Sequence, residues 1–370
     1  MIEVDWSIES GSLTMYDVSE NTIRLVPRRD YDWEGRNWTA IWCYFCVRGA
    51  RGRELTLKFL DLTDEWNRKP SFSWGPNTRP VYSYDQQTWR RFEHIEYEPR
   101  SRTLIARCRP ESDTLWAAYI EPYPTARLQR FLEDLRARRA GAQIGSLGAS
   151  VNGRAIPFVY LGSQPSRRHA IVVCRQHPWE TGTSFAAEGL IEFLASNAPE
   201  AQEVLDQIAF TVIPIANPDG VIGGGTRYNA LGYDPNRNYD SVSIQTCPET
   251  YHLLRMVESV AQSGQPFVIF NLHNNNQETG DYIVGDHQPV AGFSIEHFGD
   301  ALARHTFFRG PVRLRPEPIV SVFGRPLPMV LLELRTGYDP TLGRYVTYHD
   351  QKAYGAGLAR AIYRAMVSSP

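Results

Sequence analysis

The stretch AIVVCRQHPWETGTS, residues 170–184, carries the chain from one kind of structure into another. Ala170–Arg175 is a continuous apolar run, typical of a strand buried on both faces. A loop containing a proline follows, and then a helical pattern over Ser184–Ser196. The same alternation recurs in the rest of the chain and predicts an α/β fold with a mixed sheet covered on both faces. Further strands are predicted at Ala209–Ile215, Phe267–Leu272 and Met329–Leu334, and further helices after an N-cap at Thr125 and at Glu249–Ser263, Ile295–Arg304 and Gln351–Val367.

Polar side chains follow two of these predicted strands. His177 and Glu180 come after the first strand, and His273 directly follows Phe267–Leu272. Because open α/β sheets bind ligands beyond the carboxyl ends of their strands, the three side chains are expected to converge. Two histidines and one carboxylate with an open fourth position suit a catalytic zinc ion. Singly, they are also explained as a hydrogen-bonded turn histidine, a first-turn acid favoured by the helix dipole and a strand-end histidine bonded to an asparagine.

A long glycine-rich stretch, GGGTRYNALGYDPNRNYD, follows the turn sequence Asn217–Gly220. Long loops at strand ends are often functional. It contains Arg227, Asn236 and Arg237, and a guanidinium paired with an amide is a good clamp for a carboxylate. The alternative is that the arginines are surface residues that stabilise the loop.

Glu333 lies in the apolar run MVLLELRTG. A carboxylate within an apolar strand is costly without a partner, and burial raises its pKa toward the range of a proton carrier near neutral pH. The alternative is a structural ion pair with Arg335, two residues further on the same strand face.

The first 123 residues differ in character, because short β-rich runs alternate there with turn sequences. This pattern indicates an antiparallel β-sandwich. Eight of the nine tryptophans precede residue 124, and we interpret them mainly as core and domain-interface residues. Cys43 and Cys46 form a C-x-x-C, which we interpret as packed strand thiols rather than a zinc site. The predicted strands are Thr22–Val26, Ala40–Val47, Glu54–Phe59, Thr103–Arg107 and Thr114–Ile120.

Composition limits the classes of partner. The formal net charge of the 370 residues is -2, which gives no global attraction to nucleic acid or to a membrane surface. The sequence shows neither a signal peptide nor a run long and apolar enough to span a membrane. Five scattered cysteines do not form a disulfide framework, so a cytoplasmic location is expected. The oligomeric state is not predicted.

Together these segments resemble the M14 family of zinc carboxypeptidases, over residues 125–370. Within that family the chain is most similar to the cytosolic carboxypeptidase branch, which carries a β-sandwich before the catalytic domain. The resemblance implies an N-terminal antiparallel β-sandwich at 1–123 and a mixed-sheet α/β/α zinc carboxypeptidase-like domain at 124–370. The matching motifs are His-x-x-Glu at His177 and Glu180, the later His273, the pair Asn236 and Arg237 in DPNRN, and Glu-Leu-Arg at Glu333.

The resemblance also implies a role for each residue. One zinc ion per chain is bound by His177, Glu180 and His273. Glu333 is the general base that takes a proton from the zinc-bound water. Arg227 stabilises the oxyanion and contacts substrate. Asn236 and Arg237 hold the terminal carboxylate of a peptide or protein substrate, which explains trimming from the C-terminus.

Two departures from the family pattern stand out. Trp179 replaces the glycine of the related His-Pro-Gly-Glu-Thr segment, which is expected to reshape the pocket. Many members close over substrate with a tyrosine upstream of the catalytic glutamate, but no tyrosine occurs between Tyr282 and Tyr338 here. Phe323 or a residue from elsewhere is expected in that place, or the contact is missing.

The substrate is predicted only by class. The branch commonly removes glutamate, which requires a basic pocket, and Arg313, Arg315 and Arg325 precede Glu333. These arginines are equally well explained as solvated surface residues. A zinc deacylase of small N-acyl amino acids on the same scaffold is the alternative enzyme, and a catalytically silent peptide-binding module is the alternative outside enzymes.

Overall fold

The computed structural model describes residues 1–138, 141–162, 167–237, 239–286, 293–315, 321–322 and 325–367. We refer to residues 1–120 as the N-terminal part and to residues 123–367 as the C-terminal part. The strands of the N-terminal part are β1 (Glu3–Asp5), β2 (Met15–Ser19), β3 (Thr22–Val26), β4 (Asp30–Tyr31), β5 (Trp38–Thr39), β6 (Tyr44–Arg48), β7 (Leu55–Phe59), β8 (Asp64–Trp66), β9 (Lys69–Ser71), β10 (Val81–Ser83), β11 (Trp89–Arg91), β12 (His94–Glu98), β13 (Thr103–Cys108) and β14 (Leu115–Ala118).

Two five-stranded sheets enclose the core of the N-terminal part, in the orders β1-β6-β14-β10-β11 and β12-β13-β7-β3-β2. Alternation along β7 shows how the core forms, since Leu55, Leu57 and Phe59 are buried and the residues between them are not. The pairing of β3 with β7 is parallel, whereas their other neighbours pair antiparallel. The chain leaves this sheet after β3 and builds β4–β6 elsewhere, so it re-enters in the same direction.

The tryptophans Trp42 and Trp74 are buried in this core, as predicted for the aromatic residues of the sandwich. Cys43 and Cys46 are free, buried thiols, and Cys43 belongs to the same core. A further small sheet, in the order β4-β5-β8-β9, projects from the N-terminal part. We call it the projecting sheet. It reaches loop 226–233 of the C-terminal part, where Asp30 accepts hydrogen bonds and Trp33 stacks on Tyr233.

The C-terminal part alternates strands and helices. Its strands are β15 (Gln143–Ala149), β16 (Ala155–Leu161), β17 (Arg168–Cys174), β18 (Ile208–Ile213), β19 (Phe267–Asn274), β20 (Tyr282–Asp286), β21 (Val312–Arg315), β22 (Ser321–Val322), β23 (Arg325–Pro326), β24 (Met329–Leu334), β25 (Tyr338–Asp339) and β26 (Arg344–Tyr345). Its helices are α1 (Thr125–Ala137), α2 (Thr181–Leu194), α3 (Pro199–Gln207), α4 (Pro218–Ile222), α5 (Pro248–Gln262), α6 (Ile295–His305) and α7 (Tyr348–Val367).

An eight-stranded mixed sheet, in the order β15-β16-β18-β17-β19-β24-β20-β21, forms the centre of this part. Along β17, Ala170 and Val172 pack into a core with α1, α2, α6 and α7, whereas Ile171 and Val173 pack on the opposite face with α5. The sheet is therefore covered on both faces, and the predicted α/β class is confirmed. The predicted N-cap of α1 is wrong by one residue, because Pro124 occupies that position and both the amide and the hydroxyl of Thr125 bind Glu9.

Parallel pairing in the middle of the sheet brings the predicted site residues to one edge. Strands β18, β17, β19 and β24 run in the same direction. The polypeptide leaves β17 just before His177, and β19 carries His273 near its end. In the register between β19 and β24, His273 lies directly opposite Glu333. The sheet geometry thus explains why residues far apart in sequence meet.

Candidate metal centre and active site

Three potential metal-binding atoms converge at the carboxyl edge of the sheet. His177 Nδ1 lies 2.8 Å from one carboxylate oxygen of Glu180, and His273 Nδ1 lies 2.9 Å from the other. The two Nδ1 atoms are 3.2 Å apart. All three side chains are buried, with exposures of 1–3%. Ligands about 2.0–2.2 Å from a tetrahedral zinc ion are separated by roughly 3.3 Å, so these residues fit the metal in kind and spacing.

A strained turn delivers the first two of these groups. Arg175, just after β17, has the left-handed φ of +59°, which turns the chain sharply before His177. The Arg175 side chain is buried and donates to the carbonyl of Pro178 at 2.8 Å and to that of Tyr123 at 3.2 Å. The loop carrying His177 and Glu180 is therefore fixed from both sides.

Glu180 does not serve helix α2 as a capping side chain. It occupies the N-cap position, but its carboxylate makes no capping hydrogen bond and faces the two histidines instead. Burial alone would raise the pKa of Glu180, but the two histidines outweigh it and lower that pKa to about 2. A buried, ionised carboxylate between two imidazoles suits binding of a divalent cation.

Asp234 orients His177. Its Oδ1 lies 3.2 Å from His177 Nε2, so the proton of that imidazole belongs on Nε2 and Nδ1 is left free as a ligand atom. Its Oδ2 accepts a hydrogen bond of 2.7 Å from Arg227 Nε. Burial would raise the pKa of Asp234, but Arg227 and His177 outweigh it and hold that pKa well below its ordinary value. Asp234 is not among the residues predicted from the sequence, although its position two residues before the Asn-Arg pair was a usable signal.

The predicted clamp residues differ in environment. Asn236 is buried, with its Nδ2 3.1 Å from His273 Nε2 and its Oδ1 accepting a 2.8 Å hydrogen bond from the Tyr239 hydroxyl. Arg237 is exposed, and its guanidinium bonds the carbonyl of Asn236 at 2.7 Å. Asn236 therefore touches a predicted metal ligand, and Arg237 keeps donors available to a ligand in the cavity.

The turn sequence Asn217–Gly220 begins the short helix α4, which Asn217 caps by accepting from the Gly220 amide at 3.0 Å. The other end of the Asn217 amide donates to the carbonyls of Gln176 and Tyr228. It therefore ties the loop before His177 to the loop that carries Arg227.

Glu333 faces the same cavity from β24. Burial, and then the charge of Glu180, raise its pKa to about 8. The alternative explanation, an ion pair with Arg335, does not apply, because Arg335 pairs with Asp281 at 3.1 Å and Asp339 at 3.3 Å. Glu333 therefore has the raised proton affinity expected of a group that takes up a proton.

A cavity of about 870 Å³ joins these groups. Tyr282, which pairs with Glu333 across β20 and β24, lies on its wall, and the Arg313 guanidinium stacks over the Tyr282 ring at 4.1 Å. Phe323 and the side chain of Arg325 lie outside the described residues. The lining comprises Thr39, Ile41, Ser73, His177, Trp179, Glu180, Thr226, Arg227, Asn236, Arg237, Tyr239, Asp240, Asn274, Asn275, Asn276, Tyr282, Val284, Arg313, Arg315, Leu331 and Glu333.

Trp179 connects the loop that carries His177 and Glu180, which we call the metal loop, to the N-terminal part. It is 7% exposed and packs into the core of the two five-stranded sheets, with its ring edge-on to Tyr119 at 5.9 Å. The same side chain lines the cavity. The replacement of glycine by tryptophan therefore does more than occupy the pocket, because it also anchors the loop between His177 and Glu180 in another part of the molecule.

Comparisons with known proteins follow the same division of the chain. Residues 128–285 match the family model for zinc carboxypeptidases, and residues 4–120 match that for the cytosolic carboxypeptidase N-terminal domain. Cytosolic carboxypeptidase 2 of Danio rerio is 27% identical over 271 residues, covering 66% of this chain. The chain spans 37% of the length of that relative.

Solved structures agree over the whole chain. A metallo-carboxypeptidase from Burkholderia cenocepacia superposes with a TM-score of 0.84 at 23% identity, covering 100% of both chains. A metallo-carboxypeptidase from Pseudomonas aeruginosa, in complex with (2-guanidinoethylmercapto)succinic acid, gives 0.81 at 22% identity over 98% of both chains. Within the described residues, no helix combines the length and apolarity needed to cross a membrane.

Proposed function

The chain belongs to the M14 family of zinc carboxypeptidases, and we propose that it removes C-terminal residues from peptides or proteins in a zinc-dependent reaction. The observation that carries this proposal is the convergence of His177, Glu180 and His273 beside a cavity that Glu333 and Arg227 also line. A structural zinc site would be closed, whereas this group offers three ligands beside an open cavity.

The protein groups divide the work of hydrolysis. His177, Glu180 and His273 hold one zinc ion, which when bound supplies a Lewis acid and lowers the pKa of water. Glu333 takes the proton of the attacking water and passes it to the leaving amine. Asp234 holds His177 in the tautomer that leaves Nδ1 free for the metal.

Two arginines recognise the substrate. Arg227, 19% exposed at its side chain and fixed by Asp234, donates to the oxygen that becomes negative in the tetrahedral transition state and contacts the bound substrate. Arg237, together with Asn236, holds the α-carboxylate of the last residue. Because this clamp needs a free carboxylate, cleavage is restricted to the chain terminus.

The basic far wall of the cavity supports a preference for C-terminal glutamate, including glutamate linked through a side chain. Arg313 and Arg315 both line it, and Arg313 is braced on Tyr282. Matched peptides ending in glutamate, leucine or lysine test this preference. Faster release of leucine or lysine than of glutamate would exclude the preference while leaving the carboxypeptidase reaction in place.

A screen of C-terminal residue release from a peptide library, with zinc measured in the same preparations, tests the main proposal. We expect one zinc per chain and release that stops when a chelator removes the metal. Protein without stoichiometric zinc that is indifferent to chelation would point to a silent peptide-binding module. Hydrolysis of N-acyl amino acids with no release from peptides would point to a deacylase on this scaffold.

Two further properties follow as proposals. The chain divides into an N-terminal domain at 1–123 and a catalytic domain at 124–370, supported by family matches on either side of that boundary. A cytoplasmic location is supported by five cysteines that are all free.

A further inference from the structure

The projecting sheet of the N-terminal part contacts the loop that carries the substrate-binding arginines. We propose that Asp30 and Trp66 are positioning residues for the reaction, and that they hold Arg227 and Arg237 in the orientation that substrate needs. The inference rests on the proposed function, because it gives these arginines their substrate. By this proposal, the N-terminal part contributes directly to the active site in addition to packing against the C-terminal part.

Asp30 fixes the backbone at Arg227. Its Oδ2 atom accepts three hydrogen bonds, from the amides of Thr226, Arg227 and Tyr228, at 2.8, 2.6 and 3.2 Å. Consecutive amides that converge on one carboxylate oxygen define the conformation of a turn closely. The Arg227 side chain therefore leaves the backbone in a set direction and meets Asp234 at its other end.

Trp66 lies against both guanidinium groups. The Arg227 guanidinium lies 4.8 Å from the centre of the indole ring, and that of Arg237 lies 5.9 Å from it. A tryptophan face attracts cations at such distances and also restricts where they can move. This restraint matters most for Arg237, which is exposed and otherwise bonds the carbonyl of its own neighbour, Asn236.

The segments that carry Asp30 and Trp66 are themselves fixed by further contacts. Asp64, two residues before Trp66, is buried and accepts a 2.7 Å hydrogen bond from the Ala40 amide. Trp33 stacks on Tyr233 with ring centres 5.3 Å apart, and its amide donates to the carbonyl of Gly232 at 3.0 Å. A side chain at residue 232 would place a Cβ 2.6 Å from Trp33 N, so the two segments meet at a backbone-to-backbone contact.

Other contacts between the two parts lie elsewhere and provide a matched control. Asn77, for example, donates from its side chain to Glu278 at 2.9 Å. That contact docks the two parts but touches neither arginine. If the N-terminal part only adds stability, losing the Asn77 contact and losing Trp66 should affect catalysis alike.

The test compares Trp66→Leu, Trp66→Phe, Asp30→Ala and Asp30→Asn with Asn77→Ala, each in the zinc-loaded chain of 370 residues. For release from a peptide with a free C-terminus, we expect Trp66→Leu to raise KM about tenfold and Trp66→Phe to restore most of the loss, because phenylalanine keeps an aromatic face. We expect Asp30→Ala to lower kcat about tenfold, with a smaller loss in Asp30→Asn, whose amide oxygen still accepts. Asn77→Ala should stay within twofold of the unsubstituted protein.

Calorimetric binding of the same peptide in a Glu333→Gln background gives a readout that does not depend on turnover. There Trp66→Leu should weaken Kd about tenfold, while zinc content stays at one per chain. The inference is overturned if Trp66→Leu and Asp30→Ala keep kcat/KM and Kd within twofold, or if Asn77→Ala loses as much as they do. If the unsubstituted protein releases no residue, the proposed function fails instead, and the binding comparison still decides whether Trp66 positions Arg237. If Asp30→Ala does not fold, Asp30→Asn carries the same comparison.

Discussion

The carboxyl edge of the central sheet and the projecting sheet of the N-terminal part face the same cavity but are built differently. At the edge, His273 and Glu333 are strand residues held by backbone pairing, in register with each other. At the projecting sheet, the side chains of Asp30 and Trp66 contact Arg227 from segments that lie far away in the sequence. The difference indicates that His273 and Glu333 are placed by the backbone of one sheet, whereas the proposed substrate-binding arginines depend on side-chain contacts from two parts of the chain.

The comparison is tested most severely at the metal ligands. His273→Ala removes one of the three proposed ligands, so zinc should no longer be retained and release of C-terminal residues should fall below detection. Metal content after gel filtration measures the first effect, and His252→Ala, a change to a histidine outside the site, is the control. Full zinc retention by His273→Ala would show that another group completes the site.

Glu333→Gln should separate chemistry from metal binding at the same edge. The amide cannot accept the proton of water, so kcat should fall by about 10³-fold or more while zinc remains bound. Steady-state rates and metal analysis on the same sample test this. Loss of zinc in this variant would instead make Glu333 a metal ligand.

Arg227→Ala tests a residue that contacts both regions, because Arg227 bonds Asp234 and lies against Trp66. Removing one donor to a developing oxyanion should lower kcat by roughly 10²-fold, with a smaller change in KM. Arg315→Ala, at the far wall of the cavity, should instead act mainly on the choice of the C-terminal residue. If Arg227→Ala changed only KM, Arg227 would not contribute to stabilising the transition state.

Trp179→Ala should weaken the link between the N-terminal part and the metal loop. Removing a buried tryptophan costs about 3–5 kcal/mol of unfolding free energy, and the loop should relax enough to lower kcat/KM several-fold. Denaturant unfolding measures the first effect. Trp89→Ala, which packs on the same core away from the cavity, should lose stability but retain kcat/KM.

The smallest expected effect is a pH dependence in the metal-free protein. Because the pKa of Glu333 is raised to about 8, the folded state keeps a proton that the unfolded chain releases above the ordinary glutamate pKa. The contribution of Glu333 to stability is therefore present at acidic pH and is lost as the pH rises through 8. The stability of Glu333→Gln should therefore increase relative to that of the parent as the pH is raised from 4.5 to 8.5. Thermal unfolding at both values tests this, with the exposed Glu3→Gln as control, and an equal gain at both would contradict it.

The sequence was sufficient where the backbone determines position. His273 and Glu333 lie in strands and His177 and Glu180 follow one, and the parallel direction of these strands brings all four to one edge. It was insufficient where a contact depends on the path of a loop. Asp234 precedes the Asn-Arg pair by two residues, which marks it as a candidate, but the sequence does not show that it contacts His177.

The contribution of the projecting sheet could not be predicted for a related reason. Short strands in turn-rich sequence indicate a sandwich, but not which of their side chains point toward a distant loop. Trp179 was recognised as a departure near the pocket, yet its packing against Tyr119 depends on how two separately formed cores meet. Such contacts depend on the shapes of whole surfaces rather than on local periodicity.

The position of Trp179 has a consequence for dissecting or recombining this molecule. An N-terminal fragment ending at residue 123 would contain every strand of the sandwich but lack one indole from its interior, leaving an apolar slot beside Tyr119 open to water. The sandwich is therefore unsuited to use as an isolated domain. If it is fused to another catalytic chain, that chain must supply a matching aromatic residue. During synthesis on the ribosome, the same slot stays open until the metal loop emerges. The core of the N-terminal part is therefore complete only once the C-terminal part supplies Trp179.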